Sequence, residues 1–360
     1  MLSQHEVVPY LLSRDFIGSR CVVDGNVAVI DNSRRNRNYR IICPDGCYLL
    51  KQAVGADRIA TLSREAAIYQ QLFSASPTNG IASHLPRFCA YDSEQQILIL
   101  ELIQDAETLR EQQQRLGRVS AHSAKQTADA LFALHCASAT LQEQTSTPRA
   151  SVLSLHQPTL ASYRNVSRGA LQLVEIIQKQ KGLTEHLDQL RHEWQPSGFI
   201  HGDIRAENFL IPVPLARDKR PVKIVDFEFA GTGDTAWDVG SLFSEYLSFW
   251  LFSFPLMTAT HLDRFIHIAD CPLDKIQLAV RSFWTRYAQC MALHDSESGQ
   301  FLLRAVKFSA LRLFVMAFEM SPALSSINTY ILSLVQVGMN ILAQPDKAAA
   351  ELFGIAFCHD

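Results

Sequence analysis

The chain has 360 residues, 48% hydrophobic and 19% charged, with a formal net charge of −3. That length exceeds the roughly 100–200 residues of one compact domain, so two lobes are expected, and the composition excludes a disordered chain. The slight acidic balance excludes the broad basic surface of a nucleic-acid partner, although a local cluster still suffices for phosphate.

The N-terminus carries Glu6 and Asp15 with no basic segment leading into an apolar core, so it does not read as a secretory signal. The longest apolar stretch, Leu247 to Met257, is broken by Ser248, Ser253 and Pro255. It falls short of the roughly 20 residues that span a bilayer. A cytoplasmic enzyme without a membrane partner is expected. Eight cysteines are scattered without a disulfide or zinc pattern. Cys43 and Cys47 flank the turn Pro44-Asp45-Gly46, where they are placed to face each other across a hairpin, reduced and structural.

In chain order, CVVDGNVAVI, NYRIIC and CYLLKQA between residues 20 and 50 read as an antiparallel meander. Asp57 is placed to cap a helix whose apolar stripe runs Ile59, Leu62, Ala66, Tyr69 and Phe73. Two further strands are expected over Arg87–Tyr91 and Ile97–Ile103. From Thr108 onward helices dominate, over Ser123–Leu141, Leu171–Trp194, Asp274–Leu293 and Phe301–Met320. A hairpin interrupts them, out along Phe209, through a turn from Pro214 to Pro221, and back along Val222–Phe227. The expected fold is α+β in two lobes, a small antiparallel-sheet lobe over residues 1–103 and a larger, mainly helical lobe over 104–360.

The chemistry concentrates at that interruption. FIHGDIRAENFLI is followed, eighteen residues after Asn208, by the aspartate of VKIVDFEFAGTGDTAWDVGSLF. Phosphoryl transfer needs a base at the attacking hydroxyl and cations across the β- and γ-phosphates. An aspartate, an asparagine five residues later and a strand-end aspartate supply a base, a neutral oxygen ligand and a carboxylate ligand, and oxygen ligands suit magnesium. An isolated HGD is common by chance, and Asp238 read alone is an ordinary helix cap. The ordered set carries the reading.

HGDIRAEN and IVDFE resemble the patterns of the aminoglycoside phosphotransferase and choline kinase superfamily, relatives of the protein kinases. Ala133 to His135 and the GD…D of Gly233, Asp234 and Asp238 also fall where that family has them. The resemblance implies a bilobal protein-kinase-like fold and ATP and magnesium as cofactors. It also implies Asp203 as base, Asn208 and Asp226 as metal ligands, and His201 and Asp238 as braces of the loop. Lys51 and Glu65 match the family's phosphate-gripping lysine and its helix-borne partner, with a snorkelling lysine and a surface glutamate as the bland alternative. ILILELI matches the linker strand, whose backbone at Glu101 and Ile103 would bond the adenine edge.

Two features depart from pattern. The turn DNSRRNRN, residues 31–38, has no glycine where protein kinases have a glycine-rich loop. Ser33, Asn36 and Arg34, Arg35 and Arg37 either contact phosphate or form a solvated turn. Arg205 stands two residues after the base, where protein kinases carry a lysine that contacts the transferring phosphate. A surface arginine pairing with Glu207 is the alternative. Trp237 follows Asp226 by eleven positions, which leaves no room for an activation segment.

Residues 31–51 are similar to kinases found with class V lanthipeptide systems, which phosphorylate serine or threonine of a precursor peptide. That resemblance implies a peptide acceptor. A small alcohol or amino sugar, or a nucleotide-binding pseudokinase scaffold, remains as the alternative.

Overall fold

A computed structural model of the chain describes residues 1–33, 36–74, 80–137, 167–180, 182–213, 220–254, 269–321 and 327–356. Helices α1 (Gln4–Ser13) and α2 (Ser19–Val23) lead into strands β1 (Ala28–Asp31), β2 (Arg37–Cys43) and β3 (Gly46–Gln52). Helix α3 (Ala56–Ser74) then crosses to β4 (Phe88–Asp92) and β5 (Ile97–Glu101). The five strands form one antiparallel sheet of order β1-β2-β3-β5-β4.

Both faces of this sheet are covered at β5, which explains its unbroken apolar run. Ile97 and Ile99 pack with Tyr39, Ile41 and Leu50 under Val7, Tyr10 and Leu11 of α1. Leu98 and Leu100 belong to the other core, shared with Leu62, Ala66 and Tyr69 of α3. That second core is continuous with the interior of the helical lobe.

The chain leaves the sheet at Glu101 and enters the second lobe through β6 (Ala106–Thr108), α4 (Leu109–Leu116), α5 (Ala121–Cys136), α6 (Arg168–Gln178) and α7 (Leu183–Glu193). Strands β7 (Gly198–Ile200), β8 (Phe209–Pro212), β9 (Lys223–Ile224) and β10 (Gly231–Gly233) follow. They make two small antiparallel sheets, β6-β8-β9 and β7-β10, which hold the two motif segments between them. Helices α8 (Thr235–Phe252), α9 (Leu273–Met291), α10 (Asp295–Met320), α11 (Thr329–Ala343) and α12 (Pro345–Glu351) complete the lobe. The molecule is thus the α+β, two-lobed protein-kinase-like fold expected from sequence. No helix among the described residues is long and apolar enough to cross a membrane.

Several details differ from expectation. Cys21 to Val23 are helical, and α1 was not foreseen. Pro9 reads as a breaker, yet α1 forms because Ser3 donates through its amide and hydroxyl to Glu6 (both 2.7 Å) and Val7, Tyr10 and Leu11 bury one stripe. Asp57 lies inside the first turn of α3 and is not its cap; Glu65 joins the buried stripe, while Ile59 is exposed. The helix expected over Leu171–Trp194 is two, divided between Gln178 and Leu183, with Gly182 at φ 81° as the second N-cap. Cys43 and Cys47 do not oppose each other, because the register sets Cys43 against Gly46 and Cys47 against Ile42; both are free thiols. Leu141, the Pro214 end of the hairpin turn and Cys358 lie outside the described residues.

Helix α8 is buried along almost its whole length and lies against α10. Gly240 makes that approach possible, since a Cβ there would meet the Ala305 carbonyl oxygen, and Phe308 Cβ and Ser309 N at 2.9 Å. Alanine in a helix is normally worth ~0.5–1 kcal/mol over glycine. Overpacking a rigid contact costs ~1–3 kcal/mol, so the packing term should win. Gly240→Ala is therefore expected to lower stability in denaturant unfolding, and an unchanged or raised midpoint would refute a backbone-limited contact here.

Candidate active site

His201 to Asn208 join β7 to β8 as a loop whose backbone is tied down at nearly every residue. Asp238, fully buried at the start of α8, accepts the His201 N–H at 2.6 Å and the Gly202 N–H at 3.0 Å. Its Oδ2 also lies 3.2 Å from His135 Nε2, and His135 Nδ1 lies 2.7 Å from the Tyr287 hydroxyl. The Gly202 carbonyl accepts from Trp237 Nε1 at 3.1 Å, and Gly202 itself takes φ 78°, a conformation that favours glycine. Asp234 caps α8 through the Ala236 N–H and receives Arg304 at 2.9 Å. The ALH and GD…D signals are therefore parts of the loop's support.

His201 Nε2 faces the Val225 carbonyl at 2.9 Å, and its Nδ1 accepts the Asp203 N–H at 3.3 Å. Those partners place the proton on Nε2. The imidazole, with Phe227 against it at 4.9 Å between centroids, locks β9 to the loop and sits behind Asp203. Asn208 donates through Nδ2 to the Asp203 carbonyl at 3.0 Å, and its own carbonyl accepts the Val225 N–H at 3.0 Å. The amide orientation leaves Asn208 Oδ1 as the atom able to accept or coordinate. Asp226, one residue on from Val225, takes φ 74° and ψ 61°, a left-handed conformation that costs a non-glycine residue roughly 1–2 kcal/mol.

Lys51 spans the two lobes. Its Nζ lies 2.8 Å from Glu65 Oε1 and 2.9 Å from Asp226 Oδ1. Burial disfavours the ammonium, but Asp226 and Glu65 more than offset it and hold Lys51 well above its ordinary value. Lys51 in turn draws Asp226 below the usual carboxylate range. One charge cannot satisfy two carboxylates equally: burial pushes Glu65 up to about 7 despite Lys51.

The Asp203 carboxylate meets two arginines. Arg205 Nε donates to Oδ2 at 3.1 Å, and Arg312 Nη2 lies 3.3 Å from Oδ1. Both also reach Glu319, Arg205 at 2.7 Å and Arg312 at 3.5 Å. Glu207 pairs with Arg110 at 3.1 Å and not with Arg205. Arg110 also reaches Glu245 at 2.6 Å; that carboxylate accepts the Ala206 N–H, and burial raises its pKa. Sequence reasoning missed Arg110, Glu245, Arg312 and Glu319. A signal existed: Glu245 and Arg312 are lone charges in apolar helical runs, and a buried charge must be paired.

The remaining residues lie apart from this cluster. Ser33 and Asn36 sit at the tip of the β1–β2 hairpin, where Ser33 N–H donates to Asp31 at 2.7 Å and Ser33 Oγ accepts the Asn38 N–H at 3.1 Å. Arg34 and Arg35 lie outside the described residues. Glu101 N–H donates to Arg87 and Leu102 N–H to Cys47, both at 2.9 Å, so Glu101 and Ile103 turn their peptide groups to the edge opposite Cys47. The strand register also puts Ile30, Ile42 and Leu49 on the face that carries Lys51. Ile30 is 45% and Ile42 37% exposed on that face, which the exposed Arg40, paired with both Ile30 and Leu49, shares.

A model described as the phosphotransferase enzyme family matches residues 26–261. A search of curated proteins finds no match. Among solved structures, an ethanolamine kinase of Plasmodium vivax is similar at TM-score 0.56 and 12% identity, covering 95% of this chain and 88% of that one. A choline/ethanolamine kinase family protein of Mesorhizobium loti is similar at TM-score 0.52 and 15% identity, covering 95% and 96%. The aminoglycoside phosphotransferase APH(4)-Ia is similar at TM-score 0.52 and 13% identity, covering 95% and 99%. At these identities the likeness is one of fold.

Asp238→Ala would strip two buried N–H groups of their acceptor, at ~1–3 kcal/mol for each group left unsatisfied. The variant is expected to unfold at distinctly lower denaturant than wild type. Wild-type stability would mean that the loop does not depend on this carboxylate.

Proposed function

Since the chain belongs to the phosphotransferase enzyme family, we propose that it moves the γ-phosphate of ATP, bound with magnesium, to the hydroxyl of a small acceptor. The observation that carries this reading is the meeting of Lys51, Glu65 and Asp226 across the lobes, beside the loop that holds Asp203 and Asn208. A binding-only scaffold has no need of that assembly. Residues 1–103 then form the nucleotide lobe and residues 104–360 the catalytic and acceptor lobe.

In this reading Lys51 grips the phosphates and Glu65 orients it. Adenine lies against Ile30, Ile42 and Leu49, bonded by the Glu101 carbonyl and the Ile103 N–H, while Ser33 and Asn36 border the phosphates. Asn208 Oδ1 and the Asp226 carboxylate fit a hard divalent cation, being oxygen donors of which one is charged. Bound magnesium would neutralise charge across the β- and γ-phosphates. Asp203 takes the acceptor's hydroxyl proton as the new P–O bond forms and the bond to ADP breaks. Arg205, one-third exposed, supplies positive charge toward the phosphoryl group.

The acceptor class is drawn from the solved relatives, named as kinases of ethanolamine, of choline and of aminoglycosides. A serine or threonine of a precursor peptide is the second reading, favoured by Arg205 at the position of the protein-kinase lysine. Incubation with MgATP and ethanolamine, choline, hygromycin B or a serine- and threonine-rich precursor peptide separates them by a ~80-dalton mass gain on the modified species. Modification of a small molecule alone removes the peptide reading; no ATP turnover with any acceptor favours the scaffold.

Asp203→Asn is expected to cut turnover by ~10²–10⁴ while MgATP affinity stays near wild type, since the base acts on the hydroxyl. Retention of most turnover would remove Asp203 from that role. Asp226→Ala should instead abolish magnesium-dependent nucleotide binding, and unchanged MgATP affinity in calorimetry would count against it as a ligand. Arg205→Lys should keep activity that Arg205→Ala loses, because charge near the phosphoryl group is the requirement. Equal turnover of wild type and Arg205→Ala would make it a surface ion pair.

A further inference from the structure

We propose that Arg312 is a positioning residue for Asp203, a fixed buried cation that holds the base in place when Arg205 turns toward the phosphate. The inference rests on Asp203 being the base.

The two arginines at Asp203 differ in freedom. Arg205 lies on the loop itself, with its side chain 34% exposed, and bonds Asp203 Oδ2 and Glu319 from the solvent side. Arg312 projects from the middle of α10 with its side chain 1% exposed, and lies 3.3 Å from Asp203 Oδ1 and 3.5 Å from Glu319. Placing a guanidinium in that interior is costly, and an apolar side chain would fill the space more favourably. Helix packing does not account for it, because Arg312 Nε has no hydrogen-bond partner while the two terminal nitrogens face Asp203 and Glu319.

A turn of Arg205 toward the transferring phosphoryl group would give up its Nε bond to Asp203 Oδ2. When it moves, Asp203 Oδ2 loses that donor and faces the acceptor's hydroxyl. Oδ1 stays against Arg312, whose helix is anchored to α8 and α11 and does not follow the loop. The arrangement assigns one oxygen to the chemistry and the other to alignment, on a rigid element, as alignment of a reacting group requires. Glu319 serves both arginines, so Arg312 keeps a second anion when Arg205 leaves.

The test uses the full chain and reads ADP release from MgATP, with ethanolamine and then water as acceptor. Arg312→Met is expected to lower kcat by about 10–100-fold, the range for a misplaced reacting group, with KM for ATP and calorimetric MgATP affinity unchanged. Arg312→Lys should recover part of the loss. In an Asp203→Asn background Arg312→Met should cost little more, because its effect passes through the lost carboxylate. An equal loss in both backgrounds, or a loss of MgATP affinity matching that of kcat, overturns the proposal. Should the Met variant fail to fold, Arg312→Lys decides: a lowered kcat at unchanged MgATP affinity supports the role, and a wild-type kcat refutes it. Full turnover by Asp203→Asn would instead remove the base assignment on which the inference stands.

Discussion

One ammonium group shared between two carboxylates joins the halves of this molecule. Lys51 comes from the central sheet, Glu65 from the helix behind it and Asp226 from the segment after β9. Its attraction is strong because the pair with Glu65 is buried, and a broken pair would leave a charge in a poorly solvated interior. The strained backbone of Asp226 is held by the same constraint, with the carboxylate on Lys51 and the preceding N–H on Asn208.

Beneath that contact lies a second hub. Asp238 gathers the two amides that open the loop from His201 to Asn208, and His135 and Tyr287 hold Asp238 from behind. Local propensity does not build such a loop; its amides find acceptors only because α8 starts where it does. The start of α8 is fixed by its cap, Asp234, and by close packing on α10 through Gly240. Helix packing in the large lobe thus sets the position of Asp203, and α10 delivers Arg312 and Glu319 to it. Placement of the Asp203 carboxylate and core packing share the same helix.

Opposite charges alternate around Asp203, with Asp203, Arg205, Glu319 and Arg312 in one group and Glu207, Arg110 and Glu245 in the other. The first group is neutral in formal charge, and the second carries one net negative charge. In the proposed function a hydroxyl compound would meet paired charges of both signs there. Such preorganised groups suit a reaction in which charge is redistributed among phosphate oxygens.

The sequence by itself determined the two-lobed α+β fold, the strand–helix–strand order of the small lobe and the motif residues His201, Asp203, Asn208, Asp226 and Asp238. These are legible because phosphoryl transfer demands particular residue types at short, fixed spacing on one loop and the strand that follows. The place of Leu49 on the face of Lys51 was in principle legible too, since side chains on one strand alternate with a period of two, whereas Ile30 and Ile42 join it only through the cross-strand register. Tertiary structure alone decided the partners of Arg205, because Glu319 lies more than a hundred positions away and pairs with it only through the placing of α10. It decided likewise that Glu207 turns to Arg110, that α1 survives Pro9 by packing its stripe on the sheet, and that Arg312 stands against Asp203. A spacing rule describes residues that share one backbone segment; it carries no information about which helices will pack together and what charges they bring.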